Sequence, residues 1–267
     1  MKPLRLSTAR RQRWRRAFII ASFLLFPVTL NYFSPVLIVQ GAINGAVTAS
    51  AVCFGLLFLS GLVFGRGFCG WACPGAGLQE PLMAVNPAPV TGRAADLVKW
   101  AVWIPWLSII LTGYALAGAA LTFKPLFMMQ SWVSVDRPVM FIPYFTVLAL
   151  VVWPALALGR RGFCHCLCWM APFLILGDKA GRVLGLPGLR LGVRRHSCTS
   201  CGTCSRACPM SLPVAEMAAR GDMRHAECVL CGECADTCPE KTLALDFGAK
   251  NAKSPGGRDV SGPESGS

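Results

Sequence analysis

The sequence is short of charge, and shortest of acid. Of its 267 residues only 15% are charged, with 13 acidic side chains set against 26 basic ones. Soluble domains carry about 25% charged residues. With 54% of residues hydrophobic and a mean hydropathy of +0.51, the balance is that of a membrane protein. Catalytic motifs are missing as well: no paired-carboxylate site, nucleophile triad or phosphate loop is present. The glycine-rich stretch 181–192 has neither the GxGxxG nor the P-loop spacing and reads as linker. Hydrolytic and nucleotide-binding readings therefore have no residues to rest on.

The net charge of +13 does not point to nucleic acid, because of where it sits. Lys2, Arg5, Arg10, Arg11, Arg13, Arg15 and Arg16 crowd the N-terminus with no acid among them, directly before an apolar run. That is a cytoplasmic flank under the positive-inside rule, and it is compatible with a solvated basic tail. Arg10-Arg11 is followed by Gln12, Arg13 and Trp14, too basic and polar for a twin-arginine signal. No small-x-small cleavage site follows Pro27, so an uncleaved first span is expected.

Four stretches are apolar over the about 20 residues that a bilayer requires. They are 17–38 (interrupted by Pro27, Asn31 and Pro35), 45–64, 97–119 and 139–158. Gly55, Ser60, Gly61 and Gly113 would let such helices approach closely. Trp100, Trp103, Trp106 and Trp153 read as interfacial anchors and packing, and Cys53 as core. The basic flanks put the N-terminus, the connection 66–99 and everything after Arg160 in the cytoplasm, and 39–44 and 121–138 on the other side. Asp96 and Lys99 would only mark the entrance of the third span.

Fourteen cysteines stand against this background, mostly in tight clusters. Cys198, Cys201, Cys204 and Cys208-Pro209 form C-x2-C-x2-C-x3-C-P, repeated as Cys228, Cys231, Cys234 and Cys238-Pro239. This is the bacterial ferredoxin spacing, in which three thiolates wrap one iron–sulfur cube and the fourth ligates the other cluster. On that rule Cys198, Cys201, Cys204 and Cys238 hold one 4Fe-4S cluster, and Cys228, Cys231, Cys234 and Cys208 the second. A disulfide framework does not explain the repeated spacing, and zinc sites use pairs set well apart or histidines.

A second cysteine system lies in the apolar half. Gly65-Arg66-Gly67-Phe68-Cys69 follows the second span and Arg161-Gly162-Phe163-Cys164 the fourth, each continued by C-x3-C to Cys73-Pro74 and to Cys168. An internal repeat of this kind brings equivalent positions together about a pseudo-twofold axis. Cys69, Cys73, Cys164 and Cys168 are therefore expected to meet under the ferredoxin domain as a further metal or redox centre. Packed structural turns and a reversible dithiol stand as alternatives. Cys166 and His165 have no match in the first copy, and His165 reads as an interfacial histidine.

The expected fold is thus membrane α-helical, four transmembrane helices with a C-terminal bacterial-type double 4Fe-4S ferredoxin domain. It divides into a basic cytoplasmic N-terminus (1–16), a membrane domain (17–180), a linker (181–195), the ferredoxin domain (196–247) and a disordered tail (248–267). In a domain of that size the clusters replace a hydrophobic core.

With both cysteine systems in hand, the chain resembles the NapH-type membrane ferredoxins, whose relatives include the membrane portion of NosR and the CcoG/RdxA proteins. The resemblance rests on Phe68-Cys69-Gly70-Trp71-Ala72-Cys73-Pro74, on Phe163-Cys164 to Cys168 and on the two ferredoxin runs. It implies electron transfer between the quinone pool, or another membrane donor, and a redox protein partner, as in a quinol dehydrogenase subunit. The alternative it implies, from CcoG-like members, is a copper- or thiol-reducing maturation factor for a membrane metalloenzyme. It also implies a multi-pass protein of the bacterial cytoplasmic membrane with both termini cytoplasmic. The second motif departs from the pattern, since Trp169-Met170-Ala171-Pro172 follows Cys168 and the turn there is expected to differ. Neither the extra C-terminal domain of CcoG-like members nor the flavin-attachment domain of NosR-like members is expected in a chain of this length. Polar candidates for a quinone site are Asn31, Tyr32 and Gln40, or Gln79 and Glu80 beyond the first motif.

Overall fold

The computed structural model describes residues 9–128, 132–194 and 198–249. Its first apolar stretch is broken. Helix α1 (Arg10–Leu24) meets α2 (Phe26–Thr29) and a 3-10 turn (Leu30–Phe33) at a bend of 56°. Ser34 then caps α3 (Pro35–Ile43), its hydroxyl accepting from the Val36 and Leu37 amides. Pro27 and Pro35 each sit in the first turn of a new helix, where a missing N–H costs nothing, so both start helices rather than continue one.

Strand β1 (Ala46–Val47) leads into α4 (Ala49–Phe64), the one-turn α5 (Gly67–Trp71) and α6 (Pro74–Leu82). Next come α7 (Arg93–Ala117), β2 (Thr122–Phe123, parallel to β1), α8 (Phe141–Leu158), the one-turn α9 (Gly162–Cys166) and α10 (Ala171–Val183). Among the described residues two helices are long and apolar enough to cross a membrane, within α7 and at Pro138–Leu158. The bent pair makes a third if taken as one broken span, and α4 is a shorter apolar helix. The expectation of four spans is therefore met by two or three candidates.

The internal repeat is real in three dimensions. Each half runs long apolar helix, one-turn helix, further helix: α4-α5-α6 and α8-α9-α10. The halves then exchange partners, α10 packing on α4 and α6 on α8. Gly61 permits the first crossing, for a Cβ there would lie 2.9 Å from the Leu174 carbonyl oxygen and 3.2 Å from Gly177 Cα. Gly55, expected to play the same role, faces open space.

The stretch expected to be linker is mostly structural. Gly181 lies in α10, and β3 (Pro187–Val193) pairs antiparallel with β4 (Leu243–Ala249), so the ferredoxin domain reaches outside 196–247 at both ends. Of the expected tail, 248–249 belong to β4 and 250–267 lie outside the described residues. Between the strands lie α11 (Thr203–Ala207), α12 (Val214–Arg220) and α13 (Glu233–Asp236). Positive φ recurs at matching points of the two runs: Ser200, Gly202 and Ser211 in the first, Leu230, Gly232 and Lys241 in the second. Leu230 and Lys241 each hold this conformation at about 1–2 kcal/mol, so the loop path is imposed by something other than local preference.

From Arg10 onward the basic N-terminal segment is helical, and Arg11, Arg15 and Arg16 are paired while Arg10 and Arg13 stay exposed. Helix α1 docks on the ferredoxin domain: Arg11 pairs with Asp236 at 2.9 Å, Gln12 donates to the Cys231 carbonyl at 2.9 Å and Arg16 pairs with Glu233 at 3.0 Å. Residues 1–8, including Lys2 and Arg5, lie outside the described residues.

Candidate redox centres

Three groups of four thiols are assembled, each from two separate stretches of chain. All fourteen cysteines are free thiols. The outer group lines one cavity, formed by Cys198, Cys201, Cys204 and Cys238 with Thr199, Thr203 and Pro239. Here the fourth cysteine comes from the second run, as the ferredoxin rule requires. Cys201 is exposed, and hydrogen bonds from the Thr203 side chain and backbone hold its pKa below the usual thiol value.

The inner group is its mirror. Cys228, Cys231, Cys234 and Cys208 line a second cavity walled by Leu191, Met210, Leu212, Met217 and Val229. Burial raises these pKa values, to about 12 for Cys208 and about 11 for Cys228, with neighbouring thiols adding to the first. Cys234 senses Cys231, Cys228 and Cys208 of its own group and Cys204 of the outer one, so the two groups adjoin.

The third group gathers the C-x3-C motifs. Cys69, Cys73, Cys164 and Cys168 are all buried, and each of Cys69, Cys164 and Cys168 acts electrostatically on Cys73. The two turns share one hydrogen-bond pattern despite their different sequences. Cys69 N donates to Arg66 O and Cys73 N to Phe68 O, matched by Cys164 N to Arg161 O and Cys168 N to Phe163 O. Without a proline after Cys168 that hydrogen-bond pattern is kept, while Arg161 opens its turn at φ 48° where Arg66 has φ -88°. The next helix starts later, at Ala171 rather than directly after the motif as at Pro74. Aromatic contacts run along these turns: Phe33 on Phe68 at 5.8 Å and Phe163 on Trp169 at 5.4 Å, with Trp169 Nε1 donating to Phe33 O.

The third group lies directly beneath the inner one. Trp71 Nε1 donates to the Leu230 carbonyl at 3.1 Å. Gly70, between Cys69 and Cys73, touches the second ferredoxin run: a Cβ there would meet the Val229 carbonyl oxygen and lie 3.3 Å from Cys231 Cα. Gly70→Ala is accordingly expected to lower stability by about 1–3 kcal/mol, the usual cost of overpacking. Thermal unfolding in detergent reads this, and an unchanged midpoint would refute the contact.

Four bases and three acids are buried around this junction. Glu80 takes both Arg15 (2.6 and 2.9 Å) and Arg161, while Glu227 takes Arg66 and Lys99, the latter at 2.7 Å. Glu233 lies 3.5 Å from Arg15. Lys99, expected at a membrane entrance, is thus an interdomain ion-pair partner. Burial of Glu227 works against its charge, but Arg66 and Lys99 outweigh it and hold its pKa near 2. His165 is buried rather than interfacial, its Nδ1 3.0 Å from Asp96 Oδ1. Asp96, His165 and Glu227 converge as metal ligands would. The Lys99 ammonium, within 3.7 Å of both carboxylates, already supplies the cation there.

The expected quinone candidates divide. Gln79 and Glu80 belong to the third thiol group: Gln79 Nε2 lies 3.2 Å from Cys164 Sγ, and Glu80 is held by its arginines. The Asn31 backbone amide donates to Ser134 Oγ and the Tyr32 hydroxyl to the Trp132 carbonyl, both in the segment before α8. Gln40 sits in α3, its carbonyl accepting from Asn44. Sequence reasoning missed the buried roles of Arg15, Arg66, Arg161 and Lys99. The recurrence of arginine at the head of both repeats was the one available signal.

The donor sets fit iron–sulfur clusters. Buried thiols with raised pKa values stay protonated until a metal displaces the protons. Beside the third group, Arg66 Nε and Nη2, Arg161 Nε and Gln79 Oε1 are buried without hydrogen-bond partners among the described residues. Three of these four are donors that anionic sulfur would satisfy.

Comparison with known proteins agrees. A 4Fe-4S dicluster domain matches residues 197–243, and a 4Fe-4S binding domain matches residues 46–86, which contain Cys69 and Cys73. The chain is similar to the methylamine utilization ferredoxin-type protein MauN of Methylobacillus flagellatus, 27% identical over 69% of this chain and 65% of that protein. It is also similar to MauN of Methylorubrum extorquens, 30% identical over 65% of this chain and 59% of that one. The matched region thus spans less than two thirds of these relatives' own length. No solved structure matches the chain. Two 4Fe-4S-type domains, ferredoxin-type relatives and assembled thiol groups define an iron–sulfur protein of the ferredoxin type.

Proposed function

We propose that this chain is a membrane-anchored electron relay, exchanging electrons between a membrane quinone and a redox protein partner on the cytoplasmic side. The reading belongs to the NapH-like branch of membrane ferredoxins. Its four apolar segments would lie in the bacterial cytoplasmic membrane, with the ferredoxin domain outside it. Cys198, Cys201, Cys204 and Cys238 would hold one cluster, Cys228, Cys231, Cys234 and Cys208 the second, and Cys69, Cys73, Cys164 and Cys168 a further redox centre. When bound, each iron–sulfur cluster supplies a one-electron couple.

The observation that carries the proposal is the order of the three thiol groups. The C-x3-C turns, following apolar helices α4 and α8, touch the inner ferredoxin run at Gly70 and Trp71. The inner group adjoins the outer one, whose Cys201 is exposed. Aromatic Phe33, Phe68, Phe163 and Trp169 offer an apolar approach for a quinone ring at the membrane end. Oxidation of a quinol releases two electrons and two protons, and a relay of this kind takes the electrons singly.

Burial of the third group favours the relay over the maturation-factor alternative. Cys69, Cys73, Cys164 and Cys168 are each at most 5% exposed, so direct thiol exchange or copper binding there is disfavoured. Stopped-flow optical spectroscopy of the reduced protein mixed with a quinone analogue tests the relay. Cluster reoxidation is expected, and its absence while an artificial acceptor still works would overturn the quinone assignment.

A further inference from the structure

We propose that Arg66 and Arg161, which open the two Arg-Gly-Phe-Cys repeats, are a shared counter-ion pair set between the third thiol group and the inner ferredoxin group, poising a metal–thiolate centre at Cys69, Cys73, Cys164 and Cys168 for electron exchange with its neighbour. The inference rests on the reading of that third group as a metal centre.

Position comes first. Arg66 is 2% exposed and Arg161 is 0% exposed, at equivalent points of the repeat. Arg66 is held by contacts on the ferredoxin side and Arg161 by contacts on the side of the C-x3-C turns, and each acts electrostatically on thiols of both groups. Arg66 pairs with Glu227 and donates to the Ala226 carbonyl at 3.1 Å, just before Cys228 in the chain. Arg66 also acts electrostatically on Cys69, Cys168 and Cys228. Arg161 donates to the Cys69 carbonyl at 3.0 Å, pairs with Glu80 and acts on Cys164 and Cys231. The repeat thus delivers one guanidinium from each half to the seam between two thiol groups.

Charge accounting points the same way. Arg15, Arg66, Lys99 and Arg161 are buried here with, among the described residues, only Glu80, Glu227 and Glu233 as comparably buried acids. At the margin, the less buried Arg11 and Arg16 are offset by Asp236 and Asp96. An unbalanced buried charge costs several kcal/mol. Neutral thiols leave that excess in place, and among the described residues Arg66 Nε and Nη2 and Arg161 Nε then have no acceptor. Thiolates around a metal core answer both: they bring net negative charge and accept N–H bonds through sulfur. Gln79, with Nε2 3.2 Å from Cys164 Sγ, adds a neutral donor to the same set. A dithiol that cycles to a neutral disulfide would restore the imbalance at each turnover.

The exchange transfers one electron and makes or breaks no bond. Positive charge beside a centre favours its reduced, more negative form and so raises its potential. Because the pair is shared, removing either arginine should act on both adjoining centres and spare the outer one.

The test is an EPR-monitored redox titration of the full-length protein purified without oxygen. Arg161→Met is expected to make reduction of both the membrane-side and inner centres at least tenfold less favourable, or 59 mV for a one-electron couple. The outer centre should be unmoved, and Arg161→Lys should restore most of the loss. Glu227→Gln keeps Arg66 and removes its compensating charge, so it should shift the same two potentials upward; it serves if the methionine variant does not assemble. A shift confined to one centre, or none, overturns the shared pair. Iron content read on a Cys73→Ser/Cys164→Ser protein separates the two ideas. Iron equal to wild type defeats the metal-centre reading itself, whereas lost iron with unmoved potentials in the arginine variants defeats only the counter-ion pair.

Discussion

Cys238→Ala protein, purified without oxygen, is expected to lose about four iron atoms and with them the centre of the first run, not that of its own run. Cys238 lines the outer cavity with Cys198, Cys201 and Cys204, while the three cysteines preceding it in its run line the inner cavity with Cys208. Cys201→Ala should therefore reproduce the spectroscopic loss seen with Cys238→Ala, and Cys231→Ala should remove the other signal. The effect should be large at the affected site, because one iron of the cube is left without its protein ligand. Cys53 supplies the control. It lies in α4, outside all three groups, and Cys53→Ala should keep every iron. Should Cys238→Ala and Cys231→Ala remove the same signal, the cross-run pairing is wrong.

A second large effect is expected at Glu80. Its carboxylate is 6% exposed and takes both nitrogens of a bidentate Arg15 together with Arg161. It also joins three parts of the chain, α1, α6 and the turn before α9. Glu80→Ala leaves two buried guanidinium groups without it, although Arg15 retains Glu233 at 3.5 Å. Breaking a buried pair from one side costs about 3–5 kcal/mol. For a chain of this size that is on the order of a 10 °C fall in unfolding midpoint. Differential scanning measurements in detergent read it directly. A fall matching the about 0–1 kcal/mol of an exposed pair would show that solvent reaches the site. Glu80→Gln should fall between the two, since the amide keeps an acceptor oxygen but loses the charge.

These two sites differ sharply in how far the sequence announces them. The ferredoxin ligands repeat at fixed local spacing, and the wrapping of a cube by C-x2-C-x2-C is a short-range property, so both cavities are lined by the expected cysteines. The membrane-side group was legible for the same reason, because Arg-Gly-Phe-Cys-x3-Cys occurs twice and a repeat implies symmetry. Glu80 and Glu227 were not. Glu80 read as a polar residue beyond a motif, and its partners Arg15 and Arg161 lie far away on either side. Lys99 looked like a membrane-entrance lysine, because nothing local distinguishes it from one that reaches Glu227. The basic N-terminal run was equally ambiguous, since arginines have one appearance in sequence whether solvated or paired with Asp236 and Glu233. Strand β3 escaped notice because its glycines and proline imitate a linker and its partner β4 follows only after the whole ferredoxin core.

What the sequence determined by itself is the chemistry: iron–sulfur ligation by thiol runs, an apolar helical half and a duplicated turn. Thiolate spacing and hydropathy act over a few residues, and chain order suffices to express them. Tertiary structure alone decided how these parts are joined. It broke the first apolar stretch at its prolines, crossed the two halves through Gly61 and set Gly70 against the inner ferredoxin run. It also drew four bases and three acids into one buried seam. Those outcomes depend on which surfaces exclude water together, and buried charge finds its partners through space rather than along the chain.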